Sequence, residues 1–118
     1  MWEPITEQEL DELIATDLAD CSEDLRAIYA HTAITPEKWR QSPWGDDGGG
    51  FWVVAVSGAK VLWYNDIEEG FNVSRFVTGG RIPDDEYWCQ QDRLGWAIPH
   101  LIADLGGYRL GPPRPLDG

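Results

Sequence analysis

Three runs rich in aromatic and β-branched residues, FWVVAVS from Phe51, KVLWYND from Lys60 and GFNVSRFV from Gly70, follow one another almost without interruption. Only Gly58-Ala59 and the stretch Ile67-Glu68-Glu69-Gly70 divide them. Such residues suit a pleated, half-buried surface. Parallel pairing needs a crossover of about a dozen residues or more, so connections this short admit only hairpins. The segment is therefore constrained to a three-stranded antiparallel meander. Within the middle run Val61 and Trp63 face one side and Leu62 and Tyr64 the other, so both faces are partly apolar and each needs a cover.

Helical signals flank this body. Thr6 with Glu9 is a capping-box pattern, and Leu10, Leu13, Ile14 and Leu18 then recur at helical spacing. Asp17 falls inside that stripe, so either the helix ends early or the carboxylate finds a partner. Ser22 followed by Glu23 and Asp24 reads as a second N-cap with acids in the first turn. Thr35-Pro36-Glu37 suits a capped turn, whereas Glu37 to Gln41 equally suits a short strand around Trp39. The stretch from Ser42 to Gly50 reads as a flexible connecting loop. A helix starting between Glu86 and Asp92 would put Leu94, Ala97, Ile98, Leu101, Ile102 and Leu105 on one stripe, with Pro99 kinking it. Gly106-Gly107 would end it, before an extended tail over 110–118.

One domain of 118 residues is expected: an acidic helical region over 1–33, a sheet with its C-terminal helix over 36–105, and the tail. The fold class is α+β, with two N-terminal helices, a three- to four-stranded antiparallel meander and a C-terminal helix packed on the sheet.

Charge limits the partners. The chain has 21 Asp and Glu against 9 Lys and Arg, a formal net charge of -12, with 12 of the acids and 3 of the bases in residues 1–59. That balance argues against nucleic acid and against anionic membranes, both of which select basic surfaces. The longest apolar run, Phe51 to Val56, is far short of the roughly 20 residues that span a bilayer. The N-terminus lacks the charged and apolar regions of a secretion signal, so a cytoplasmic protein is expected, with Cys21 and Cys89 as reduced, buried thiols.

The most distinctive constellation is Trp63 to Phe71, WYNDIEEGF. It places Asn65, Asp66, Glu68 and Glu69 around one tight turn, with Gly70 available for a left-handed conformation. These are hard oxygen ligands, but without EF-hand spacing no metal is expected, and no cofactor. Seven tryptophans stand in the chain, and Trp44 in its Gly-rich loop is a candidate contact because Trp is enriched at binding hot spots. On the C-terminal helix Arg93, Trp96, His100 and Asp104 lie opposite the apolar stripe. A carboxylate beside the imidazole could orient it as a general base, although no nucleophile is spaced to it.

The hairpin VLWYNDIEEGFNVSRF, together with the following DEYWCQQDRLGWAI, resembles a group of small bacterial proteins, over roughly residues 36 to 105. In size, acidity and aromatic content the chain is also similar to immunity proteins encoded beside bacterial toxins. That likeness of build implies a toxin-neutralising binder and carries over no catalytic residue.

The residues thus point to a non-catalytic acidic module, monomeric or homodimeric, that holds a basic protein surface. Carboxylates would steer the partner and aromatics retain it. Glu7, Asp11, Asp20, Trp44, Glu68 and Glu69 are the expected contacts. The alternative is a small ligand-binding domain or enzyme with a pocket between sheet and C-terminal helix, built from Arg93, Trp96, His100 and Asp104.

Overall fold

Thr6 starts the first helix by a complete capping box: its Oγ1 accepts from the Glu9 N–H at 3.1 Å, and its own N–H donates to Glu9 Oε1 at 2.9 Å. Helix α1 then runs Glu7–Ala19. Ser22 caps α2 (Glu23–Thr32), accepting from the Leu25 N–H at 3.2 Å. The computed structural model describes residues 2–103 and has the α+β architecture. After the two helices come four strands, β1 (Ala33–Trp39), β2 (Phe51–Ser57), β3 (Lys60–Asn65) and β4 (Gly70–Arg75), and then α3 (Leu94–Leu101). The sheet is antiparallel throughout, in the order β1-β2-β3-β4. No described helix is long and apolar enough to cross a membrane.

Of the two readings open for residues 35–41, the strand is the one adopted, and it begins earlier, at Ala33. Pro36 sits within β1, which lies at the sheet edge, where a missing N–H is tolerated. A second irregularity falls in β2. Val53 pairs with Trp63 but Ala55 with Leu62, so Val54 is an extra residue, and Val54 and Ala55 both face the helices. This bulge explains why three successive residues, Val53, Val54 and Ala55, are fully buried.

Each face of the sheet has its own cover. On one, Val54, Ala55, Leu62 and Phe71 pack against Leu10 and Ile14 of α1 and against Leu94, Ala97, Ile98 and Leu101 of α3. Full burial of each large aliphatic here contributes about 2 kcal/mol. On the other face Trp39, Phe51, Val53, Val61 and Trp63 lie under the segment that follows β4, with Phe76, Ile82 and Tyr87 packed onto them. Buried Trp63 is satisfied by a relay, donating from Nε1 to Ser74 Oγ at 2.9 Å, which donates to the Glu86 carbonyl at 2.5 Å.

Helix α3 begins at Leu94, later than the expected 86–92. Residues 87–92 instead run along the free edge of β4, paired to it by one antiparallel bridge between Phe71 and Asp92. The Phe71 N–H donates to the Asp92 carbonyl at 2.8 Å, and the Asn72 amide grips both the N–H and the carbonyl of Gln90 at 2.9 and 3.1 Å. Asp84–Glu86 form one 3-10 turn before this segment. Leu105, Gly106-Gly107 and the 110–118 tail lie outside the described residues.

Asp17 does find a partner. It is only 6% exposed and accepts from the Leu94 N–H at 3.0 Å and from Arg93 Nε at 3.1 Å. Arg93 also reaches Asp20 at 2.6 Å. Helix α1 has no basic residue in its last turn, and α3 has neither an acid in its first turn nor a side-chain cap of its own. The two helices therefore cap each other: Asp17 serves the N-terminus of α3, and Arg93 sits at the C-terminal end of α1.

Two smaller expectations change. The left-handed residue of the β3–β4 turn is Glu69, with φ 62°, and not Gly70. Gly70 is needed instead for close approach, since a Cβ there would stand 2.2 Å from the Gln91 Cα and 2.4 Å from the Gln90 carbonyl oxygen. Both cysteines are free, but only Cys21 is buried; Cys89 is exposed.

Candidate functional site

In this meander the end of β1, the start of β2, the end of β3 and the start of β4 fall at one end of the sheet, which makes the 40–50 loop and the 66–69 turn neighbours. The N-terminal arm joins them. Trp2 Nε1 donates to the Asp66 carbonyl at 3.0 Å, the Ile5 N–H to Asp66 Oδ2 at 2.8 Å, and Trp52 Nε1 to the Ile5 carbonyl at 3.1 Å. Residues 40–50 and 66–69 carry five acids, Asp46, Asp47, Asp66, Glu68 and Glu69, against one base, Arg40. Trp2, Trp44, Ile67 and Trp88 are exposed. Carboxylates and large apolar groups thus share this end of the molecule.

The loop bearing Trp44 is not the flexible connector its composition suggests. Gln41, 2% exposed, turns its amide oxygen to the N–H groups of Trp44 and Gly45 at 3.1 and 3.2 Å and donates Nε2 to the Ser42 carbonyl at 3.0 Å. The Gly50 N–H closes the loop onto the Gly45 carbonyl at 2.7 Å, and Lys38 Nζ holds the Gly48 carbonyl at 2.7 Å. A buried amide supplies the order that this polar, Gly-rich stretch cannot draw from apolar contacts.

Trp44 is 55% exposed, yet its ring stacks on Tyr87 with centroids 5.6 Å apart and planes at 26°. Tyr87 in turn packs against Phe51 and buried Trp63, at 6.0 and 5.9 Å. The indole is the outermost ring of an aromatic stack rooted in the core. Such an anchor gives up little side-chain freedom on binding.

Asn65 sets the acidic turn against this stack. Its Nδ2 donates to Tyr87 Oη and to the Trp88 carbonyl, both at 3.0 Å, while its Oδ1 accepts from the Ile67 and Glu68 N–H groups at 3.0 and 3.2 Å. Every hydrogen-bonding position of the amide is used. Glu69 keeps a backbone conformation that Gly or Asn would adopt at lower cost, its N–H donating to the Asn65 carbonyl at 2.7 Å. Burial pushes the Asp66 carboxyl above the usual carboxylate range, opposed by the Ile5 N–H and by Lys38. Burial likewise raises the Tyr87 phenol, the Asn65 hydrogen bond lowers it, and the charges of Glu68 and Asp66 add to the rise.

Three of the six expected contacts, Trp44, Glu68 and Glu69, belong to this end of the sheet. Glu7 opens α1 two residues after Ile5, and Asp11 follows one turn further on; both are exposed. Asp20 is already engaged by Arg93. Of the alternative grouping, the three described residues do not come together. Arg93 is directed at α1, Trp96 is 71% exposed, His100 is exposed with its carbonyl accepting from Lys60 Nζ at 3.0 Å, and Asp104 lies outside the described residues. The facing sides of α3 and the sheet are filled by buried side chains. Among the described residues, no group of three or more His, Cys, Asp and Glu is placed to hold a metal ion.

Gln41, Asn65 and Tyr87 complete the site and were not singled out as contacts. Asn65 at the hairpin turn is the one with a readable signal, because Asn caps its own backbone there. No family model matches the chain, and no curated protein or solved structure matches it.

Proposed function

We propose that this is a non-catalytic binding module of the bacterial cytoplasm that holds a basic protein surface at the aromatic and acidic end of its sheet, as an immunity protein holds a toxin. The observation that supports this most is the exposed Trp44, held in place by buried Gln41 and by the stack on Tyr87. An exposed aromatic of this kind, prearranged beside clustered carboxylates, has the chemistry of a hot spot within a charged rim. The net charge of -12 adds long-range attraction for a cationic partner.

The immobilised protein is expected to retain a basic protein from an extract of its native host at about 50 mM salt and to release it by about 500 mM, where screening is nearly complete. Trp44→Ala should weaken retention about 30-fold, the cost of losing a hot-spot aromatic. A neutral partner indifferent to salt, or one held equally by Trp44→Ala, contradicts the proposal.

A further inference from the structure

We infer that the Trp44 platform selects arginine over lysine in the partner, an inference that rests on the binding role proposed above. One face of the Trp44 ring is occupied by Tyr87, and the exposure of the indole leaves the other to solvent. A single open ring face fits a flat group, and the carboxylates of the neighbouring turn call for a positive one. Guanidinium is both: it is planar, weakly hydrated and stacks on aromatic rings, whereas an ammonium is a compact, strongly hydrated point charge.

The surroundings support the same occupant. Asp46 and Asp47 follow Trp44 in its loop, and the turn that carries Glu68 is tied through Asn65 to Tyr87, the ring on which Trp44 stacks. Of the two cations beside the loop, exposed Arg40 opens it, and Lys38 has its amine 5.3 Å from the Trp52 ring centroid and bonded to the Gly48 carbonyl, committed to shaping the loop. The Gln41 and Asn65 side chains hold the backbone of the loop and of the acidic turn, so ring and turn are arranged before a ligand arrives.

Hexa-arginine and hexa-lysine, equal in charge, separate stacking from electrostatics when titrated calorimetrically into the full chain. Wild type is expected to bind hexa-arginine about fivefold more tightly, the scale of an exposed cation–π contact with stacking. Trp44→Ala should bind both peptides equally, its loss falling more heavily on hexa-arginine, while Trp96→Ala retains the preference. Circular dichroism on each variant would show that the fold is kept. Equal affinity of wild type for the two peptides, or a preference that survives Trp44→Ala, overturns the arginine assignment and leaves the basic-partner reading standing. Binding of neither peptide overturns both.

Discussion

Replacing Asp17 by Ala is expected to cost about 3 kcal/mol of folding stability, the sum of a buried N–H left without a partner and a lost charge-assisted hydrogen bond. The carboxylate is buried and accepts from the Leu94 N–H and from Arg93. No other side chain caps α3, so its first turn loses its anchor as α1 loses its tie to Arg93. For a domain of this size the midpoint of thermal unfolding should fall by about 12 °C. Asp20→Ala makes the informative comparison. Its bond to Arg93 is exposed, so it should cost less than about 1 kcal/mol. Equal losses for the two variants would show that the mutual capping of the helices is not what Asp17 supplies.

Gly70→Ala should be as damaging and for a different reason. The backbone of Gln90 and Gln91 already occupies the position of the new methyl group, and backbone cannot turn aside as a side chain can. Either β4 or the 87–92 segment has to move. Movement would break the Phe71–Asp92 bond, both Asn72–Gln90 bonds and the bond from Asn65 to the Trp88 carbonyl. A loss of about 3 kcal/mol is expected, at the upper end of overpacking costs. Because Tyr87 and Trp88 ride on the displaced segment, any folded fraction should also lose the Trp44 stack. Urea unfolding measures the first effect and near-ultraviolet circular dichroism the second; a variant unchanged in both would mean that the close approach at Gly70 is relaxed without cost.

Much of this architecture was legible because its constraints are local. Two short connections dictated the meander, and Thr6 and Ser22 announced their helices through residues three positions away. The two-faced pattern of Val61 to Tyr64 foretold covers on both sides of the sheet. What stayed hidden is set by long-range pairing. Asp17 looked like a flaw in an apolar stripe because its partner Arg93 lies 76 residues away. Residues 87–92 precede a helical stripe yet stay outside the helix, since they run along the open edge of β4 and bond to Phe71 and Asn72. Gln41 carries no signal in its neighbours, although it converts a Gly-rich stretch into a fixed mount for Trp44. Among the candidate contacts, Trp44, Glu68 and Glu69 were readable from turn composition. Their proximity follows from topology, which brings two connections to one sheet end, and from Asn65, which binds the turn of one to the aromatic stack of the other.

On the function proposed, the sheet end, and not the acidic N-terminal helix, is to receive the cationic partner. The most direct measurement is the proton–nitrogen correlation spectrum of the protein during titration with hexa-arginine, in which each of the seven indoles reports separately. Shifts are expected at the indole N–H groups of Trp44 and Trp88 and at the backbone amides of Asp66 to Glu69, with Trp96 and the Asp11 region of α1 unmoved. Shifts concentrated on α1 or on Trp96, with Trp44 unchanged, would contradict the account.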